Sequence, residues 1–219
     1  MTGIRRIVCG MVNCYLVTGE GGSVLVDTGE EPYKEKVLKA CQGEDVKLIV
    51  LTHGHIDHIQ NGAWLSRQLG VPIGMNEKDV ELIENQFAQP LEGRGIFGKA
   101  LAAASLRKMR KNRIERFVPR VFLEEGDSLE EFGVKARILE LPGHTEGSIG
   151  LLVGRKAVIV GDTLMHMVFP GIASICGDER KLRESTKRIG GLGERKIYFG
   201  HGGPVSWKKA ERFLNRKAD

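Results

Sequence analysis

No segment of this 219-residue sequence is long and apolar enough to span a bilayer. Its start, MTGIRRIVCGMVNCYLV, has two arginines but lacks the apolar run and small-residue cleavage site of a secretion signal. The expectation is a soluble, cytoplasmic protein without a membrane partner. Cysteine is scarce: Cys9, Cys14, Cys41 and Cys176 form no C-x-x-C pair, which argues for buried, reduced thiols over a disulfide framework or a thiolate zinc site. No repeat of solenoid length is present. Charge is not one-sided either, since 33 basic and 28 acidic residues leave +5, an excess that fits an anionic substrate without marking a nucleic-acid binder. What the chain does have is length to bury a core unaided, so one domain over residues 1–219 is expected; nothing in the sequence sets the oligomeric state.

Short runs rich in Val, Ile and Leu read as strands: Val12 to Val17, Ser23 to Val26, Lys47 to Leu51, Lys135 to Leu141, Ile149 to Val153, Ala157 to Val160 and Lys196 to Phe199. Helices lie between them. Pro32 suits a first helical position, Tyr33, Val37, Ala40 and Cys41 share a face, and Gly43 is placed to end that helix. Asp178 suits the cap of another helix, with Leu182, Ser185 and Ile189 inward and Gly190 and Gly191 at its end. From about residue 76 to 119 strand signals vanish and helical spacing appears in two pieces, the first marked by Val80, Ile83 and Phe87. Leu106, Met109, Ile114, Phe117 and Val118 mark the second, with Arg107, Lys108, Arg110, Lys111, Arg113 and Arg116 opposite, so this segment reads as a helical insertion. The halves also echo each other: SVLVDT (23–28) against AVIVGDT (157–163), and KLIVLTHGH (47–55) against KIYFGHGG (196–203). A duplicated sheet-on-sheet core and chance similarity both account for this.

Chemistry concentrates in LTHGHIDHIQNG, residues 51–62, just past a strand. In extended backbone His53 and His55 project to one side and suit one cation, while Asp57 and His58, where the chain turns towards a helix, suit a neighbouring one. Three further candidates each follow an apolar strand and a glycine: His144 after Gly143, Asp162 after Gly161 and His201 after Gly200. With the strand ends aligned, all seven side chains meet at one rim. Imidazole and carboxylate without cysteine are ligands of catalytic zinc and leave positions for water.

The sequence resembles the metallo-β-lactamase fold superfamily, whose T-H-x-H-x-D-H signature stands as Thr52 to His58. VDTG (26–29), PGHTEGS (142–148), GDT (161–163) and GHGG (200–203) follow in family order. The resemblance implies an α/β protein built as a four-layer αβ/βα sandwich with a helical insertion and the metals at one edge. It also implies two divalent metal ions, zinc first, with iron or manganese as substitutes. His53, His55 and His144 would hold the first, Asp57, His58 and His201 the second, and Asp162 would bridge them, with Asp27 as outer support. It points to a short hydrolase similar to glyoxalase II or to a lactonase. Only 18 residues follow His201, which implies that the C-terminal helical domain of glyoxalase II is lacking. His55, where diiron flavoprotein relatives carry glutamate, favours hydrolysis over oxygen chemistry.

The expected reaction is attack by metal-activated hydroxide on an ester, thioester or lactone of a small molecule, with Asp57 as the catalytic residue orienting the nucleophile. A nuclease or phosphodiesterase using the basic helical face is the alternative, with nucleic acid as a less favoured partner because aromatic residues are not interleaved there. A non-haem iron oxygenase ranks below both. Substrate selection is expected from Gln60 and Asn61, which replace the family's Gly-Gly, from the insertion with Ile96, Phe97, Leu101 and Leu106 as a lid, and from a wall of Met165, Met167, Phe169 and Pro170. His166 reads first as a packing residue and second as a substrate contact.

Overall fold

A computed structural model describes residues 2–214. The chain runs through β1 (Gly3–Cys9), β2 (Val12–Thr18), β3 (Ser23–Val26), α1 (Lys34–Cys41), β4 (Val46–Val50), the single turn α2 (Ile56–Ile59), α3 (Gly62–Leu69) and β5 (Ile73–Met75). It continues through α4 (Glu81–Glu84), β6 (Glu92–Gly93), α5 (Gly95–Lys111), β7 (Val121–Phe122), β8 (Ala136–Glu140), β9 (Ile149–Val153) and β10 (Ala157–Ile159). After these come β11 (Leu164–His166), β12 (Pro170–Ile172), β13 (Ile175–Cys176), α6 (Glu179–Gly190), β14 (Lys196–Tyr198) and α7 (Trp207–Leu214). Every expected strand is present.

Two sheets form the frame, one ordered β1-β2-β3-β4-β5-β7 and the other β14-β10-β9-β8. Side chains alternate with period two and so divide each strand between two environments. On β2, Tyr15 and Val17 face the layer between the sheets while Cys14 and Leu16 face out towards α1 and α3; Ile159 on β10 points inward while Val158 points towards α6 and α7. One apolar layer between the sheets and one outside each make the four-layer αβ/βα sandwich.

Strand direction positions the site. In the first sheet β3, β4, β5 and β7 are mutually parallel. In the second, β14 is parallel to β10, and β9 is antiparallel to both β10 and β8, so β8, β10 and β14 point the same way. Carboxyl ends of parallel strands are where open α/β sheets expose loops to a ligand, and the segments after β3, β4, β8, β10 and β14 carry Asp27, the 53–58 cluster, His144, Asp162 and His201.

The helix after Pro32 begins with a 3-10 turn and ends at Cys41, two residues before Gly43. Asp178 caps α6 as expected, its Oδ1 accepting from the Lys181 N–H at 3.0 Å. The insertion differs from its expected form. Its first piece is a 3-10 turn (Glu77–Asp79) followed by the single turn α4, and α5 starts at Gly95 and stops at Lys111, leaving Ile114, Phe117 and Val118 outside any helix. Asn112 is extended (φ −97°, ψ 159°), and Ile114 and Phe117 instead pack onto the core layer beneath α1 and α3. Tertiary packing overrides the helical spacing there. Among the described residues no helix is long and apolar enough to cross a membrane.

Candidate metal centre

The 51–58 segment is bent by anchors on both sides. Thr52 donates its backbone N–H to Asp27 Oδ1 at 2.8 Å and its hydroxyl to Oδ2 at 2.9 Å. Gly54 donates to Asp79 Oδ2 at 2.8 Å. His55 then stays extended at the start of α2, whose single turn redirects Asp57 and His58. Asp27 has φ +60°, a left-handed conformation that Asp tolerates better than most side chains.

All seven residues expected from the sequence converge. Their donor atoms fall into three overlapping groups within 4.8 Å: His53, His55 and His144; His53, His58 and Asp162; Asp57, His58 and His201. Asp162 Oδ2 sits among them, 3.0 Å from His201 Nε2 and 3.6 Å from both His58 Nε2 and His144 Nε2. Asp57 Oδ2 lies 3.7 Å from His201 Nε2. Gly200 is required beside them, because a Cβ there would lie 2.0 Å from Asp162 Oδ1.

Outer hydrogen bonds orient the rings. His58 Nδ1 faces Asp27 Oδ2 at 2.8 Å, His144 Nδ1 faces the Ile175 carbonyl at 2.9 Å and His201 Nδ1 the Met11 carbonyl at 3.0 Å. An acceptor at Nδ1 places the proton there and leaves Nε2 as the lone-pair donor, the arrangement of metal-bound histidine. Three buried atoms of the cluster, His53 Nε2, His58 Nε2 and Asp162 Oδ1, have no hydrogen-bond partner among the described residues. Orphaned buried polar atoms are costly, and a cation satisfies all three, so the donor set fits divalent metal ions.

Electrostatics separates the histidines. Burial, aided by neighbouring imidazoles, holds His53 well below the usual histidine range and pushes His55 down to about 3. Burial likewise lowers His144. For His58 burial acts in the same direction but is outweighed by Asp162 and Asp27, which hold it well above, and for His201 it is outweighed by Asp162 and Asp57.

Asp79 was not among the residues singled out from the sequence. It is fully buried, and besides the Gly54 N–H it accepts from the Gly147 N–H (2.7 Å), the Thr145 hydroxyl (2.7 Å) and Gln89 Nε2 (3.0 Å). One carboxylate therefore ties the His53–His55 loop to the His144 loop. Its partners lie up to 68 residues away, and no local spacing betrays them.

The cleft over the centre is lined by Met11, Leu91, Met165 and Met167, and by Leu101, Lys108 and Met109 of α5. Of the expected lid only Leu101 faces it; Ile96 and Phe97 point to solvent at 91% and 59% exposure, as does Phe169 at 83%. Gln60 and Asn61 do not line it either: Asn61 donates to the Thr28, Gly29 and Glu30 carbonyls, and Gln60 bonds Glu31 and Arg113. They shape the cleft only by fixing the loop that presents Glu30. His166 has Nδ1 2.6 Å from the Gly203 carbonyl, a packing role. Lys108 departs from the expected basic face: it turns inward, 2.7 Å from Glu30 Oε1 and 3.8 Å from Asp57 Oδ2.

Comparison with known proteins extends this geometry. A family model described as the metallo-beta-lactamase superfamily matches residues 7–201. The hydroxyacylglutathione hydrolase GloC of Haemophilus influenzae is 32% identical, covering 94% of each chain, and a probable metallo-hydrolase of Methanocaldococcus jannaschii is 25% identical over 87% of each. Among solved structures, TTHA1623 in a di-iron-bound form is similar with a TM-score of 0.71 and 29% identity, over 96% of this chain and 97% of that one. The B3 metallo-beta-lactamase BLEG-1 shares the fold with a TM-score of 0.75 at 19% identity, over 99% of this chain and all of that one.

Proposed function

This chain belongs to the metallo-beta-lactamase superfamily, and from that premise we propose that it is a dinuclear metal hydrolase acting on an ester, thioester or lactone of a small molecule. The observation that carries the reading is the meeting of seven donor residues, Asp162 among them, with three buried atoms that have no other partner among the described residues. His53, His55 and His144 would hold one divalent ion, Asp57, His58 and His201 the other, with Asp162 between; zinc is the ion proposed, and the di-iron form of TTHA1623 makes iron the comparison to test. When bound, two such ions supply an acidified water and polarisation of the carbonyl oxygen.

The chain's own groups do the rest. Asp57 presents a carboxylate oxygen to the cleft and is the group that orients the attacking water and receives its proton. Asp27, through Nδ1 of His58, keeps that imidazole in one tautomer. The apolar wall of α5 and the methionines limits water to the reacting side. The name of the Haemophilus relative supports a thioester within this class. Residues 1–219 act as one domain in this proposal, since both sheets and α5 contribute to the cleft, and free buried cysteines support a reducing, cytoplasmic setting.

Metal analysis of the purified protein, followed by a panel of esters, thioesters and lactones, tests the reading. The expected result is about two ions per chain and hydrolysis lost on chelation. Asp57→Ala, verified to retain metal, is expected to lower kcat by about 10²- to 10⁴-fold; wild-type turnover in that variant removes the role assigned to Asp57.

A further inference from the structure

Resting on the hydrolase reading, we infer that the cleft takes a short, uncharged, apolar acyl group, which makes the substrate a neutral short-chain ester, thioester or lactone and not a glutathione conjugate. Four of the chain's six methionines, Met11, Met109, Met165 and Met167, line this one cleft. They arrive from separate segments: the β1–β2 turn, α5, and β11 with the residue that follows it. Unbranched, polarisable methionine adapts to flexible apolar ligands. Leu101, Ala104, Ser105, Lys108 and Met109 recur at i, i+3, i+4, i+7 and i+8, so a single stripe of α5 faces the centre, with small residues at its middle leaving room.

Charge decides against a glutathione conjugate. Glutathione carries two carboxylates and an ammonium, and a site that selects it needs groups to receive them. Among the described residues, apart from the proposed metal residues, the only charged side chains lining the cleft are Glu30 and Lys108. They are already paired at 2.7 Å, with Asp57 also facing the ammonium. No lysine or arginine of the lining is left to meet a substrate carboxylate. Size agrees: the cleft is about 200 Å³ before any ions are seated, below the ~300–1,000 Å³ of sites that enclose drug-sized ligands. That leaves space for a chain of a few carbons.

Calorimetric binding of acetate, butyrate, hexanoate and octanoate to the metal-loaded protein tests this without turnover. Each carboxylate stands in for the product acid. Affinity is expected to rise about three- to fourfold per methylene as far as hexanoate, from ~0.8 kcal/mol per buried CH₂, and to level off by octanoate. Leu101→Asn on α5 and Met167→Gln beyond β11, each checked for native circular dichroism, are expected to flatten the rise. Reduced glutathione at millimolar concentration is expected not to displace hexanoate. A flat series, absence of binding, or displacement by glutathione overturns the inference. The two readings fail separately: a chain-length gradient in a protein that hydrolyses nothing in the panel removes the hydrolase and keeps the apolar cleft. Hydrolysis with a flat series does the opposite.

Discussion

Asp79 shows what a buried charge does when every lone pair has a partner. Its four hydrogen bonds replace hydration and fix the spacing between His53–His55 and His144, the three histidines proposed for one ion. Asp79→Ala leaves the Gly54 and Gly147 N–H groups and the Thr145 hydroxyl without that acceptor, at ~1–3 kcal/mol for each buried orphan. The expected outcome is a lower melting temperature together with a 10- to 100-fold weaker first ion, the usual scale for outer partners of ligands. Metal titration reads the second effect: equal weakening of both ions makes the residue merely structural. The contrast with the seven clustered residues explains what was legible. Four of those fall within six positions and the other three each follow a glycine at a strand exit, whereas Asp79 is a lone acid whose partners are two backbone N–H groups and two side chains, three of the four on loops at least 25 residues away.

Among the elements, α6 reaches the centre through its first turn. The N–H groups of Gly177 and Asp178 both donate to the Gly143 carbonyl at 2.9 Å, and Gly143 has φ +132° with the Leu182 backbone so close that a Cβ would lie 2.2 Å from its nitrogen. Gly143→Ala therefore displaces either α6 or His144. Gly43 is the comparison, since its φ is +79° but a Cβ there meets nothing within 4 Å. Gly43→Ala is expected to cost only the backbone strain of a left-handed alanine, ~1–2 kcal/mol, and to retain full metal content. Gly143→Ala is expected to cost more and to lose metal; matching melting curves and metal content for the two variants refute this placement of α6. Elements were legible where burial imposes a period: β2, β3, β4, β8, β9, β10 and β14, and the Leu182–Ser185–Ile189 face of α6. The two-residue strands β6, β7 and β13 were not, being too short to show alternation and set by their partners. Residues 112–118 keep a helical spacing that docking of Ile114 and Phe117 overrides.

At the scale of the molecule, the two internal echoes become adjacent parallel strand pairs, β3 with β4 in one sheet and β10 with β14 in the other. Each pair sends an aspartate and a histidine to the same rim: Asp27 and His53 from one side, Asp162 and His201 from the other. The centre thus joins the two sheets, and ions bound there would stabilise the whole sandwich. At free metal ~100 times Kd the linkage is ~2.7 kcal/mol, or roughly 5–11 °C in melting temperature at ~2–4 °C per kcal/mol for a chain of this size. The size of this gap depends on pH, and its sign follows from the histidines. In metal-stripped protein His58 and His201 are held above their unfolded value by Asp162 and its neighbours. Their pairing with carboxylate contributes stability below an unfolded pKa of ~6.5 and loses it as pH rises through the folded values. Ligation has the opposite dependence, because both rings must shed a proton to bind, so metal affinity rises over the same interval. The difference in melting temperature between metal-loaded and metal-stripped protein is therefore expected to widen from pH 6 upwards, with proton release on metal addition measured by an indicator dye. A gap that stays constant or narrows, with no protons released, contradicts the assignment of His58 and His201 as ligands.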